Sequence, residues 1–342
     1  MLPARHHDRP ARSSAPRAAA ELPDSEYEDL LGQWADLEAF AATLMGRPAH
    51  VQGFVPKVYQ CEYWLDDLVA HDSDAALYLM FQLAATSTAG YSAAHALVCA
   101  ALCHVLAHEL LLPEAERISL VCAAFTMNIG MTQLQDELAL QHEPLSAMQQ
   151  QAVNEHPQVS RAMLQHLGVD DALWLDAVAA HHVPVGQPPP LASMSPSGRL
   201  ARILATVDRY AAMISPRKSR TGRSITDSAR AILGAPASAQ DEVGLTLTRA
   251  VGLCPPGTFV RLENGEIGAV LRRGLQAQSP LVASVIDARG SALAAPRLYH
   301  AGRGAPRIQS ALARSAVSLE LNHRVMVRLG LFAAQRSTSL KG

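Results

Sequence analysis

Five side chains, His95, His156, His181, His182 and Asp208, are of types that can ligate a metal and stand at notable places on their helices. Neutral imidazoles and a carboxylate are what divalent transition metals take as ligands in hydrolytic centres. Asp208 shares a face with Leu204 and Ala211, so a carboxylate interrupts an apolar stripe. That is costly unless the group is paired, hydrogen-bonded or metal-bound. His181 lies seven residues after Trp174 and three after Val178, on the buried side of its helix, and His182 adjoins it. His156 immediately precedes Pro157, and His95 shares a face with Val98, Leu102, Val105 and Leu106. Singly, a histidine on an apolar face is more often a hydrogen-bonded core residue than a ligand. His104 and His108 are four apart but opposite His95 on the same helix, and they read as surface or packing residues. The HExxH pattern is absent.

Helices must hold these positions, and the apolar periodicity provides them. Helical spacing runs over 24–44, 59–70, 73–85 with Ser73 as N-cap, 91–111, and from Pro113 to about Met131. Ser146 and Gln149 form a capping box whose helix is expected to stop near His156-Pro157. Asp170 or Asp171 opens another helix ending at His181-His182, and a Pro-rich stretch, 184–196, separates it from a helix over 199–214. After Gly252 the texture changes. Residues 259–263 and 266–271 flank Asn264-Gly265, which predicts two strands and a type I′ turn. Residues 281–286 can supply a third strand, and a helix over 307–333 closes the chain. The expected fold class is all-α: a helical bundle with a small C-terminal β-hairpin appendage and a terminal helix. The expected organisation is a disordered basic arm (1–22), an N-terminal helical region (23–86), a central helical domain (87–252), the β appendage (253–300), and a helix with a tail (301–342).

Composition narrows the function classes. The 342 residues are 49% hydrophobic and 18% charged, with a formal net charge of -2, so no global basic field points to a nucleic-acid polymer. No segment reads as about 18 consecutive apolar residues, so no membrane span is expected. The N-terminal arm carries Arg5, Arg9, Arg12 and Arg17 but no apolar core of a signal peptide. Five cysteines without a C-x-x-C pair read as thiols in a reducing, cytoplasmic compartment.

Taken together, the order His95, His156-Pro157, His181-His182, Asp208-x-x-x-Ala212 resembles the skeleton of the bacterial HD-GYP family. So do Leu145 to Gln149 followed by Asn154 to Pro157, the arginine-bearing loop Ser215 to Arg220, and the turn and hairpin from Cys254 to Glu266. The resemblance covers Ser87 to Ile286. It implies the HD-domain helical fold, two or three metal ions, often iron or manganese, and hydrolysis of cyclic di-GMP. In such a centre the cations make a bound water acidic and aim it at phosphorus, while a basic side chain steadies the phosphate oxygens. Arg217 and Arg220 are the candidates for phosphate contact that the resemblance marks here.

The sequence departs from the family at its centre. Where the family has H-D-x-G-K, this chain has Met127-Asn128-Ile129-Gly130-Met131. A thioether replaces an imidazole, a neutral amide replaces the bridging carboxylate, and Met131 replaces a lysine. Met127 and Met131, four apart, are expected on one helix face as gap-fillers. Tyr91 stands where the family has a glutamate, and 183–191, with Gly186 as its one glycine, has neither the Asp nor the Gly-Tyr pair of the GYP loop. The expectation is a catalytically inactive HD-GYP-like signalling or binding module with no catalytic residues and no binuclear centre. A single residual divalent ion at His156, His181 and His182 stays open. So does the alternative that these rings simply hydrogen-bond to Asp208 and Glu155. The partner would be cyclic di-GMP or a signalling protein such as a diguanylate cyclase. Two other readings remain: an active phosphodiesterase with a rebuilt site, and an HDOD-like scaffold for protein contacts.

Overall fold

The computed structural model describes residues 24–83, 90–183, 189–215, 225–233, 241–274, 279–302 and 304–339. The N-terminal arm, Arg217, Arg220 and residues 184–188 of the Pro-rich stretch lie outside them. Helices α1 (Asp24–Gly46), α2 (Phe54–His71), α3 (Ser73–Leu83), α4 (Tyr91–Glu109), α5 (Glu114–Thr126), α6 (Thr132–Leu140), α7 (Ala147–His166), α8 (Ala172–Ala180), α9 (Pro196–Ile214), α10 (Ile225–Leu233) and α11 (Glu242–Val251) form the body. Strands β1 (Phe259–Leu262), β2 (Ile267–Arg272), β3 (Leu281–Ile286), β4 (Ala292–His300) and β5 (Ile308–Leu312) follow, and α12 (His323–Ser339) closes the chain.

Helix α4 is the axis. Its alanines let α5, α9 and α1 pack against it, and nearly every residue from Ser92 to Ala107 is buried. By length and composition alone it would pass for a membrane span, but most of it is enclosed by the other helices. Asp136 of α6 accepts from Ser92 N at 2.7 Å and Ser92 Oγ at 3.0 Å, which satisfies an orphan donor in the first turn of α4. At its other end, Leu112 N reaches Ala107 O at 3.0 Å and Leu111 N reaches His108 O at 3.1 Å, the paired bonds of a Schellman end. That end puts Leu111 in the left-handed region at φ 55 although its side chain is exposed. Leu111→Gly is therefore expected to raise stability by roughly 0.5–1 kcal/mol, the left-handed penalty less the extra entropy of an unfolded glycine. A urea midpoint that rises at unchanged slope is the check.

Several local expectations are corrected. Asp72, not Ser73, caps α3, its carboxylate accepting from Asp74 N and Ala75 N at 3.0 Å. The capping box at Ser146 and Gln149 forms, but α7 does not stop at Pro157; it runs through it. The helix begun after Pro113 ends at Thr126, and Ile129–Met131 is a short 3-10 turn before α6. Met127 and Met131 therefore do not lie on one continuous helix. Within the break α7 approaches closely: a Cβ on Gly130 would stand 2.9 Å from Ser160 N and Val159 Cγ1, and Gly130 N donates to Ser160 Oγ at 3.0 Å.

The β appendage is a five-stranded antiparallel sheet, order β4-β3-β2-β1-β5, rather than a hairpin alone. Its β1–β2 turn is not type I′, because Asn264 is not among the described non-glycine residues with positive φ. Gly265 N bonds to Leu262 O at 2.9 Å, and Leu262 N to Glu266 O at 2.8 Å. With Gly265 at φ +84 this is a three-residue loop closed by a glycine bulge. Residues 308–312, expected at the start of the last helix, pair as β5 with β1, Phe259 opposite Leu312. The sheet is not a separate body. Phe259, Ala269, Leu271 and Ala283 join the same buried cluster as Trp34, Leu102 and Trp174. Arg272 at the end of β2 and Arg273 just after it bind Asp72 and Asp74 at the start of α3.

Candidate metal centre

Four helices converge on one pocket: α4 brings His95, α7 His156, the end of α8 His181 and His182, and α9 Asp208. All five side chains singled out from the sequence meet there.

Two backbone accidents aim the central pair. Pro157 has no N–H, so the Val153 carbonyl loses its helical donor. His156 Nδ1 takes that place, donating to Val153 O at 2.6 Å. His181 caps the C-terminus of α8, and its Nδ1 donates to Val178 O at 2.6 Å. A carbonyl only accepts, so both rings carry their proton on Nδ1 and turn an Nε2 lone pair inward. The two Nε2 atoms stand 3.2 Å apart in a buried space. Two lone pairs facing each other need a cation between them. A proton is disfavoured, because burial pushes the His181 ring down to about 4 and the His156 ring down as well, the Asp208 charge and backbone bonds only partly opposing. His182 closes the group, its ring 4.4 Å from that of His181 and 5.0 Å from that of His156. One donor atom from each of the three lies within 4.8 Å of the others.

Asp208 completes the pocket. Its Oδ1 is 2.9 Å from His95 Nε2 and its Oδ2 is 3.8 Å from His182 Nε2. Burial alone would raise its pKa, but the His95 bond and the nearby His95, His181 and His182 outweigh that and hold the carboxyl well below the usual range. His95 Nδ1 is buried with no hydrogen-bond partner, and Tyr91 stacks on the ring at 5.7 Å. Cys99 Sγ is 3.6 Å from His95 Nε2, and burial, with the Asp208 charge, pushes its thiol well up, so it stays neutral. Glu155 does not serve these rings; it accepts from Gln151. The alternative of simple hydrogen bonding thus covers His95 and, at longer range, His182, but not His156 and His181.

Met127 is buried in the hydrophobic core. Asn128 is buried too, and its Oδ1 has no hydrogen-bond partner among the described residues. Trp174 Nε1 donates to Thr126 Oγ1 at 2.7 Å, fixing the end of α5 against α8. The donor set therefore suits one divalent ion at His156, His181 and His182 with Asp208 beside it. Beside it, His95, Cys99 and Asp208 also bring one donor atom each within 4.8 Å of one another. Arg199 and Arg202 of α9, which the sequence reading passed over, are engaged away from the pocket by Glu116 and Asp241.

Residues 78–238 match the family model of the HD domain. The chain is 29% identical over 217 residues to the cyclic di-GMP phosphodiesterase PA4108 of Pseudomonas aeruginosa, covering 62% of this chain and 52% of that protein. It thus spans about half the length of the curated relative it matches. Among solved structures it is similar to Bd1817, described as a HDG"Y"P protein, from Bdellovibrio bacteriovorus, at 13% identity and TM-score 0.46 over 66% of this chain and 71% of that one.

Proposed function

We propose that this chain, which carries an HD domain over residues 78–238, is an HD-GYP-like module that binds a cyclic guanine dinucleotide without cleaving it. The observation that carries the reading is Asn128: a buried neutral amide with an unpartnered oxygen, next to Met127 in the core, where a two-ion centre needs a carboxylate and an imidazole. The kinship with a cyclic di-GMP phosphodiesterase supports the ligand class. His156, His181 and His182 would hold one divalent ion, and Asp208 would steady His182 and His95. One such ion supplies an anchor for a phosphate oxygen. The protein residues do the rest: His95 and Asp208 fix each other's orientation, and Arg217 and Arg220 are the proposed phosphate contacts. His95, Cys99 and Asp208 also lie within ligand distance of one another, but on this reading the neutral amide of Asn128 in place of a bridging carboxylate keeps a second cation from being held tightly enough for hydrolysis.

The test is a titration with cyclic di-GMP alongside elemental analysis of protein purified without oxygen. The expected result is saturable binding, no more than one ion in this pocket, and no product. Turnover that disappears in Asp208→Ala would overturn the reading in favour of an active phosphodiesterase. Absence of any guanine-nucleotide binding would leave the scaffold role instead.

A further inference from the structure

On the side of α4 opposite His95, a second group of donors comes together between α2 and α4. His104 and His108, one turn apart, lie with ring centroids 4.6 Å from each other. Asp66 of α2 reaches toward them, its Oδ1 3.6 Å from His104 Nε2. One donor atom of each of the three lies within 4.8 Å of the others. We propose that Asp66, His104 and His108 form a second divalent-metal site, independent of the HD pocket, that takes a borderline ion such as zinc and clamps α2 to α4.

Three observations carry this. The first is distance. A separation of 3.6 Å is too long for an N–H···O hydrogen bond. Two ligands on a tetrahedral zinc, each at about 2.0–2.1 Å, stand roughly 3.4 Å apart. The pair is spaced as ligands of one ion rather than as donor and acceptor.

The second is placement. His104 is buried between α2 and α4, and its ring lies against that of His108 one turn further on, so both imidazoles are held on the same side of α4.

The third is the surrounding charge. Glu62 lies within electrostatic range of the Asp66 and Glu114 carboxylates and of the Arg117 guanidinium. The Arg117 guanidinium is turned to the Leu112 carbonyl at 3.0 Å. A cation beside Asp66 relieves that crowding of carboxylates. His104 is buried, while Asp66 and His108 are exposed, so the site has a fixed inner ligand and an outer side open to solvent, where a water would complete the coordination.

The probe is cobalt(II) on the full chain, titrated by its visible absorption, with zinc-dependent melting as a second readout. His182→Ala is the background, since it removes a ligand from the inner pocket and leaves this site alone. The expected result is that His182→Ala still binds one ion with a tetrahedral spectrum and melts higher with zinc. Adding His108→Ala or Asp66→Ala should weaken cobalt binding at least roughly tenfold and abolish the zinc shift. Tenfold is the low end of what even an outer-shell partner is worth. Both changes are at exposed positions, and circular dichroism verifies that the fold survives. The proposal fails if His182→Ala binds no ion, or if its cobalt affinity is the same with and without His108 and Asp66.

Discussion

Met127→His combined with Asn128→Asp is expected to raise the metal content of the His156–His181–His182 pocket and to destabilise the chain when metal is withheld. Measured in a His108→Ala background, so that only this pocket is counted, the double variant should bind a second ion that the parent does not. Without metal it should lose several kcal/mol. The aspartate would put a charge where Asn128 is buried, and an uncompensated buried ion costs several kcal/mol. The histidine would also give up the packing of a core methionine. Metal should return most of that loss, because an ion that binds only the folded state adds stability by mass action. Met131→Lys adds a phosphate contact, and Tyr91→Glu a further donor at the cost of the ring stacked on His95. Turnover should lag behind binding. On the proposed reading, residues 183–191 depart from the GYP loop of the family that the chain resembles, and a misfit near 1 Å costs about 10²-fold in rate. A variant that stays metal-free and melts no earlier than the parent would show that residues 127 and 128 do not share a cavity with the histidines.

The helical body, the capping box at Ser146 and the apolar stripe broken by Asp208 were legible because each is a local pattern. The interrupted stripe marked a residue that the fold then pairs with His95 at 2.9 Å. What escaped depends on contacts made elsewhere in the chain. Helix α5 ends at Thr126, and just beyond it α7 crosses Gly130 too closely for a side chain there, a contact that nothing near Gly130 in the sequence announces. Asn-Gly fits two hairpin geometries, and only the Leu262–Glu266 pairing selects the bulged one. Strands β4 and β5 are the two edges of the sheet and mostly exposed or half-buried, so neither has the alternation that identifies a strand. His104 and His108 read as packing residues because the third donor, Asp66, comes from another helix.

Pro157→Ala is the second large effect, and it should move stability and metal affinity in opposite directions. Inside α7 the proline removes a backbone donor and crowds the carbonyl four residues earlier, a defect that costs a helix interior about 3 kcal/mol. In this chain the defect orients a ligand. Deprived of its N–H partner, the Val153 carbonyl takes the His156 Nδ1 proton at 2.6 Å, which leaves Nε2 bare and facing His181 Nε2 at 3.2 Å. Alanine at this position would restore a backbone N–H to the Val153 carbonyl and free the imidazole to rotate or change tautomer. The ring would then escape the repulsion of two facing lone pairs. Stability of the metal-free chain should therefore rise, by roughly 1–3 kcal/mol, since the helix defect and that repulsion are relieved together. Affinity for an ion at His156, His181 and His182 should fall about 10–100-fold, the usual cost of losing the group that orients a ligating histidine. Thermal melts in chelator and a metal titration on the same preparation decide it. Loss of stability without loss of affinity would mean that Pro157 serves only the packing of α7, and that the Val153 carbonyl does not set the direction of His156.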